Sequence, residues 1–174
     1  MPDIITYIPE KKPRRALVYQ LILFFMITVS TALSASFPQY KWTTQAVFVI
    51  CSVLFIKNVV RYFMYSYKYV LTEKSFVVVQ QCGKKEQSVC NLALANTKAV
   101  LTSYQFRKRK KEIGHIKTTY NYTQNFMSEN KVYYIFEFNN SYSCVVFEAE
   151  DSFIQQFIKL SSLCADTDIS SFDE

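Results

Sequence analysis

The feature that most constrains this chain is a run of twenty residues without a charged side chain, "ALVYQLILFFMITVSTALSA", at positions 16–35. As a helix with a rise of about 1.5 Å per residue, this run would be about 30 Å long, which matches the hydrocarbon core of a bilayer. Ten of its residues are Leu, Ile, Val or Phe, and each favours insertion by about 0.3–0.6 kcal/mol. The sequence therefore predicts a transmembrane helix over residues 16–35.

A second uncharged run covers residues 42–56, and by itself it is too short to cross a bilayer. Extension to residue 65 gives a full-length span. The prediction is a helical hairpin with spans at residues 16–35 and 43–65, joined by a short extracytoplasmic loop at residues 36–42. Two alternatives remain open. In the first alternative, both runs are core helices of a soluble protein. In the second, the first run is a cleaved signal peptide.

Each predicted span contains one polar residue close to the same end of the hairpin. Gln20 lies near the start of the first span and Lys57 near the end of the second, at depths of about 6–8 Å below the interface. Because polar groups inside membranes usually face protein and find partners, we expect Gln20 and Lys57 to form a hydrogen bond. The alternative is that the bilayer thins and water reaches Lys57.

The charges that flank the spans predict the orientation of the hairpin. Cations concentrate at its two outer ends, whereas the connecting loop holds Lys41 alone. The positive-inside rule then places both termini in the cytoplasm, with residues 1–15 as a basic cytoplasmic segment of a multi-pass membrane protein. The flanking cations are Lys11, Lys12, Arg14 and Arg15 before the first span, Arg61 at the end of the second, and Lys68 and Lys74 after it.

From residue 66 onward, short β-branched and aromatic segments replace the long apolar runs. The predicted strands are "YKYVL", "SFVVVQQ", "AVLTSYQF", "VYYIFEF" and "YSCVVF". The turn signals "CGKK" and "NNS" indicate hairpins between them. Several antiparallel strands with short connections are typical of a roll or a small barrel.

The end of the sequence follows a helical pattern instead. Phe153, Phe157, Leu160 and Cys164 fall on one stripe at helical spacing, which predicts an amphipathic helix that covers an open end or face of the sheet. Residues 166–174 are acidic and are expected to form a mobile tail.

This layout resembles the bacterial pleckstrin-homology-like (PH-like) membrane proteins, among them the YcxB-like family. The resemblance rests on the two spans, on "YVLTEKSF", which fits the pattern Y-x-L-T-x-x-x-F, and on the terminal hairpin and helix in "YYIFEFNNSYSCVVFEAEDSFIQQFIKLSSL". It implies a membrane α-helical hairpin plus a cytoplasmic α+β domain over residues 66–165. That domain would be a PH-like antiparallel β-roll or barrel capped by a C-terminal α-helix.

The sequence offers little material for enzymatic chemistry. His115 is the only histidine, the two glycines are isolated, and no aspartate lies between Asp3 and Asp151. These counts argue against a catalytic triad, a P-loop and a Rossmann fingerprint, so we expect no enzyme, cofactor or metal site. The five cysteines are expected to be small buried hydrophobes, with a redox pair between Cys82 and Cys90 as the alternative.

The sharpest local feature is the basic run "RKRKK" at residues 107–111, with a further cation six residues beyond it. Three interpretations remain open: a solvated loop, docking on anionic lipid headgroups, or binding of nucleic acid through nearby aromatic residues. No recognised nucleic-acid motif accompanies the run, which disfavours the third interpretation. The candidate lipid contacts are Arg107, Lys108, Arg109, Lys110, Lys111 and Lys117.

Together these patterns predict a membrane-anchored, non-catalytic binding or scaffolding module with a net charge of +6. Its partner would be the membrane bilayer itself, through anionic lipid headgroups, or an unidentified protein that pairs with an exposed strand edge. The alternative is a structural subunit of a larger membrane assembly, in which the hairpin packs on other spans.

Overall fold

The computed structural model describes residues 4–170, and side-chain surroundings are described for residues 4–162. The chain divides into two compact units that are interleaved in sequence. The hairpin unit contains residues 11–66 together with Asn125–Met127. The sheet unit contains the residues up to Glu10, Tyr67–Gln124 and the chain from Ser128 onward.

The hairpin unit is built from two long apolar helices. Helix α1 spans Arg14–Ser36 and helix α2 spans Lys41–Val59, with a short 3-10 turn at Pro38–Tyr40 between them. The turn follows from Pro38, which has no N–H to continue α1. A π-helical turn at Val60–Met64 ends α2.

Both helices are long and apolar enough to cross a bilayer. Few of their residues are buried, because most of the large apolar side chains of both helices point away from the hairpin. This placement is compatible with membrane insertion, in which lipid covers the apolar surface.

The first sheet of the sheet unit has the strand order β1-β2-β3-β4. Its strands are β1 Ile5–Tyr7, β2 Tyr65–Leu71, β3 Ser75–Cys82 and β4 Lys85–Ala93. Strand β1 was not predicted from the sequence. It precedes α1 in the chain and pairs antiparallel with β2, so that Ile5 lies opposite Leu71 and Tyr7 opposite Tyr69.

The second sheet has the strand order β5-β7-β8-β6. Its strands are β5 Thr97–Thr102, β6 Ile116–Asn121, β7 Lys131–Phe138 and β8 Ser141–Glu148. The β7–β8 turn uses Asn139 and Asn140, both with positive φ, as the favoured two-residue hairpin turns require. The expectation of purely antiparallel strands is wrong for one pair, because β6 runs parallel to β8.

Two further helices accompany the sheets. Helix α3, Ser103–Ile113, replaces the end of the strand that was predicted over residues 99–106, since β5 ends at Thr102. Helix α4, Asp151–Ser170, follows the second sheet as the sequence predicted. The tail expected over residues 166–174 begins too early, because residues 166–170 form the end of α4, and residues 171–174 lie outside the described residues.

The core of the sheet unit is aromatic and lies between both sheets and α4. Alternate residues of the strands point into it, as the two-residue period of a strand requires. Phe76 of β3 has four aromatic neighbours at centroid distances of 4.9–6.4 Å. These neighbours are Tyr69, Tyr134, Phe147 and Phe157. The coarse layout of an apolar hairpin, two sheets and a C-terminal helix is therefore confirmed.

Candidate functional site

The basic run lies on helix α3, whose first turn is fixed by a capping box. The N–H of Gln105 donates to Thr102 Oγ1 at 3.4 Å, and the N–H of Thr102 donates to Gln105 Oε1 at 3.0 Å. This reciprocal pair satisfies two backbone donors at the point where the strand ends. The interpretation of residues 107–111 as a loop is therefore wrong, because the capping box begins a helix just before them.

Two apolar side chains attach α3 to the second sheet. The ring of Phe106 stacks on Tyr133 of β7 with a centroid distance of 4.1 Å and an interplanar angle of 4°. Ile113, seven residues later, packs against the same small cluster. The buried members of that cluster are Leu101, Ile135, Cys144 and Val146. The sheet thus has a core face towards α4 and a second face covered by α3.

Residues 104, 105 and 107–112 of α3 are solvent-exposed, and five of them are cations. Glu112 is its only carboxylate, and Lys110 and Lys111 lie in the last turn, where cations interact favourably with the helix dipole. Gly114 ends the helix with a φ of +81°, and Lys117 follows as an exposed residue of β6. The structure therefore places the candidate cations on one helix and on the strand after it. The exposed cations of α3 are Arg107, Lys108, Arg109, Lys110 and Lys111.

The polar pair inside the hairpin differs by one residue from the predicted pair. Asn58 is buried and its Nδ2 donates to Oε1 of Gln20 at 2.6 Å, whereas Lys57 is exposed. The expected hydrogen bond between Gln20 and Lys57 is therefore corrected to one between Gln20 and Asn58. One residue on a helix is a rotation of about 100°, which turns Lys57 away from the seam. Nε2 of Gln20 is buried and has no hydrogen-bond partner.

No pattern in the sequence indicated that a later segment completes the hairpin unit. Residues Asn125–Met127, here called the tip, belong to this unit although they follow β6 in the chain. Asn125 Oδ1 accepts a hydrogen bond from the N–H of Lys12 at 2.5 Å, and the carbonyl of Met127 accepts one from Nη1 of Arg15 at 2.9 Å. The tip therefore satisfies polar groups at the start of α1.

Phe126, the central residue of the tip, packs between α1 and the π-helical turn that ends α2. Its ring stacks on Tyr19 of α1 at 5.0 Å and meets Tyr62 edge-on at 5.4 Å. The guanidinium of Arg61 lies over the Tyr62 ring at 5.5 Å. This end of the hairpin therefore combines aromatic rings with arginines, which is the composition that proteins place at a membrane interface.

The residues just before the tip are bound within the sheet unit. Gln124 is buried, and its Oε1 accepts a hydrogen bond from the N–H of Tyr67 at 2.8 Å. The hydroxyl of Tyr69 donates to the carbonyl of Tyr122 at 2.8 Å. Burial is the main reason that the pKa of Tyr69 is raised well above its ordinary value. Both bonds fix the chain immediately upstream of the tip.

A half-open cavity of about 440 Å³ lies in the sheet unit between the starts of α3 and α4. Its lining includes the acidic residues Glu129, Glu150 and Asp151 and one cation, Lys131. The carboxylates would repel the anions that helix N-termini attract. Among the residues that the structure describes, no group of three His, Cys, Asp or Glu side chains is placed to hold a metal ion. We assign no ligand to this cavity.

The cysteines that the structure describes are free thiols. In the β3–β4 register, Cys90 lies opposite Val78 and Cys82 opposite Lys85, so the alternative of a Cys82–Cys90 pair is not supported. Burial raises the pKa of Cys90 to about 11 and that of Cys144 to about 12. Neither thiol has the thiolate character that reactive cysteines need.

No family model matches this sequence, and no curated protein or solved structure matches the chain either.

Proposed function

We propose that the protein is a membrane-anchored, non-catalytic binding and scaffolding module, in which α1 and α2 cross the bilayer. In this proposal a PH-like domain is displayed at the cytoplasmic face, and α3 binds anionic lipid headgroups. The single observation that carries the proposal is α3, a helix attached to its sheet by Phe106 and Ile113 and exposing five consecutive cations.

The PH-like assignment is supported by the layout of the sheet unit. Two four-stranded sheets enclose an aromatic core that α4 completes through Phe153, Ile154 and Phe157. Strand β1 and the parallel strand β6 are additions to the antiparallel core that the resemblance implies.

The pairing of β1 with β2 supports the proposal that the start of α1 and the end of α2 lie on the same side of the membrane. β1 precedes α1 and β2 follows the turn that ends α2, and their residues pair within one sheet. If both helices cross the bilayer, these strands must lie on the same side of it. The excess of cations at this end of the hairpin favours the cytoplasmic side.

The physical basis of lipid binding by α3 is the concentration of charge on a tethered domain. Each basic residue near an anionic surface contributes about 1 kcal/mol, and the contribution falls off within a Debye length of about 8–10 Å. The anchor keeps the domain near the leaflet, so that no separate recruitment step is required. Guanidinium and ammonium groups are also good donors to phosphate oxygens.

Acylation of lysines, quantified residue by residue with mass spectrometry, tests both the orientation and the lipid contact. In intact cells, a membrane-impermeant reagent should label Lys41 but should leave Lys108 unlabelled until the membrane is opened. In reconstituted vesicles, phosphatidylglycerol should slow labelling of Lys108, Lys110 and Lys111 about fivefold relative to pure phosphatidylcholine, because about 1 kcal/mol protects each amine. High salt should restore the rate.

Lys84 and Lys85 serve as internal controls, because both are exposed at the β3–β4 turn and lie outside α3. A variant with Lys108→Gln and Lys110→Gln should return Lys111 to the labelling rate seen with phosphatidylcholine. The matched variant with Lys84→Gln and Lys85→Gln should leave the protection of Lys111 intact. Equal rates in the two lipids, or equal slowing at Lys84 and Lys108, would show that α3 is only a solvated surface.

A further inference from the structure

The position of Lys57 is unusual for a helix that crosses a bilayer. Its side chain is exposed on α2, next to the exposed apolar side chains of Val53, Leu54 and Ile56. The neighbouring residue Asn58 occupies the seam with α1 in its place. From this geometry we infer that Lys57 binds the phosphate group of a membrane phospholipid on the outer face of α2. The inference rests on the proposed membrane insertion.

An exposed lysine among apolar residues needs a counter-charge when lipid surrounds the helix. A Lys at the centre of a span costs about 2.5–3.5 kcal/mol on insertion scales, and such residues are retained where they have a partner. The hairpin unit supplies no carboxylate, because residues 11–66 and the tip contain no Asp or Glu. The acceptor oxygen of Gln20 is already bound by Asn58. The counter-charge must therefore come from outside this unit.

The level of Lys57 along the hairpin favours lipid phosphate as the counter-charge. Asn58 is level with Gln20, which lies six residues after the first residue of α1, Arg14, or about 9 Å along the axis. Tyr19 and Tyr62 meet Phe126 near this level, and aromatic residues of this kind concentrate at the depth of the headgroups. Lys57 is thus within about two helical turns of the interface.

Arg61 adds a second cation towards the interface, four residues beyond Lys57. Side chains at this spacing are neighbours on a helix surface, about 5–6 Å apart at Cβ. A helical lysine leans towards the helix N-terminus, which for α2 is the bilayer interior. A lipid phosphate that lies slightly deeper than the other headgroups would contact the ammonium group of Lys57. The acyl chains of the same lipid would then cover Val53 and Ile56.

Native mass spectrometry of the full chain, purified in a mild detergent and incubated with phosphatidylglycerol, tests the inference. The wild type should retain one phosphatidylglycerol molecule, and Lys57→Gln should bind it at least about tenfold more weakly, as expected for loss of a charged hydrogen bond of about 1.5–3 kcal/mol. Lys57→Arg should retain binding. Lys41→Gln, at the opposite end of α2, is the matched control and should bind as the wild type does.

Three outcomes would overturn the inference. Equal retention of lipid by the wild type and Lys57→Gln would remove Lys57 from the site. Displacement of the lipid by inorganic phosphate would indicate a site for a free anion, since the acyl chains should hold a lipid on α2. Loss of a co-purifying membrane protein from Lys57→Gln, with lipid unchanged, would identify an acidic residue of another span as the partner.

A carbonate wash of membranes separates this inference from the proposed function. If the wild type is extracted by carbonate, the membrane spans and the lipid site both fail. If the wild type resists extraction but Lys57→Gln binds lipid normally, the anchor stands and the assignment of Lys57 fails. Retention of both proteins in washed membranes, with lipid loss only in Lys57→Gln, supports the site.

Discussion

The two units of this chain use similar apolar side chains in opposite ways. In the sheet unit, Phe76 and Phe157 are fully buried among other rings, whereas Leu21 and Phe25 of α1 are 67% and 65% exposed. In the sheet unit, burial of apolar surface stabilises the fold directly. In the hairpin unit, the same residue types cover the outside, where the proposed membrane insertion would place them against lipid.

Polar side chains also have a different role in the hairpin unit, where they join the two helices. The seam of the hairpin contains the bond between Asn58 and Gln20, and a second bond from the hydroxyl of Ser30 to the carbonyl of Thr44 at 2.5 Å. In lipid the hydrophobic effect does not drive helices together, so close packing and such bonds select the partner face. If α1 and α2 cross the bilayer as proposed, stability comes mainly from aromatic packing in the sheet unit and from close packing and a few polar contacts in the hairpin unit.

The largest effect is expected when the aromatic core is opened. Phe76→Ala should lower the free energy of unfolding of the sheet unit by about 3–5 kcal/mol, because the ring is fully buried and the cavity cannot collapse among its rigid neighbours. Alkylation of Cys144, which is buried in the same unit, should then be at least about one-hundred-fold faster, since the open population rises with the loss of stability.

Phe138→Ala is the matched control, because this ring is exposed near the end of β7. It should change the alkylation of Cys144 little. Cys51 is buried in the hairpin unit and should keep its wild-type rate in Phe76→Ala. Equal acceleration at both cysteines would contradict the distinction between the units, because it would mean that they unfold together.

An intermediate effect is expected at alkaline pH, and it concerns the sheet unit alone. Burial raises the pKa of Cys90 from 9.0 to about 11, so the folded state retains the neutral thiol while the unfolded state ionises. Stability from this group is fully present below about pH 9 and is lost as the pH rises towards 11. The loss should be about 1–2 kcal/mol, because the thiol is only partly buried.

This loss can be measured by thermal unfolding followed by circular dichroism, at pH values from about 8 to about 11. This interval covers the rise in the pKa of Cys90. Cys90→Ala should show a shallower decline than the wild type. Val89→Ala, its neighbour on β4, removes apolar volume but no ionisable group and should keep the wild-type slope. A wild-type slope in Cys90→Ala would exclude this thiol as a source of alkaline destabilisation.

The smallest effect is expected in the hairpin seam. Asn58→Leu should weaken the hairpin by about 0.6–1.7 kcal/mol, which are the average and the maximum contribution of hydrogen bonds between membrane helices. Alkylation of Cys51 should accelerate by about three- to twentyfold, whereas Cys144 should be unaffected. Lys57→Leu changes the adjacent residue on the exposed face and should leave Cys51 protected. Faster alkylation in Lys57→Leu but not in Asn58→Leu would restore Lys57 as the partner of Gln20.

Several elements could be predicted from the sequence because they carry long or periodic signals. The apolar runs indicated α1 and α2, the alternating aromatic residues indicated β7, and the helical stripe that begins at Phe153 indicated α4. In each case the local pattern and the final environment agree, so no knowledge of distant contacts was needed.

Other elements depend on information that a local pattern does not contain. β1 is only three residues long and is held by β2, its partner across more than fifty intervening residues. The choice between Lys57 and Asn58 as the partner of Gln20 depends on the rotation of α2 by one residue. The prediction named Lys57 because it carries the charge, whereas the structure has Asn58. Helix α3 did carry a signal, the capping box of Thr102 and Gln105, but the aromatic residues beside it favoured a strand.

The tip has a consequence for the order in which this protein is made. A chain emerging from the ribosome contains both α1 and α2 long before it contains Asn125–Met127, the residues that bind the start of α1 and fill the space between Tyr19 and Tyr62. Likewise, β1 is synthesised before α1 but has no strand to pair with until β2 appears. The hairpin is therefore finished only after most of the sheet unit has been synthesised, and no single cut in the sequence would release either unit whole.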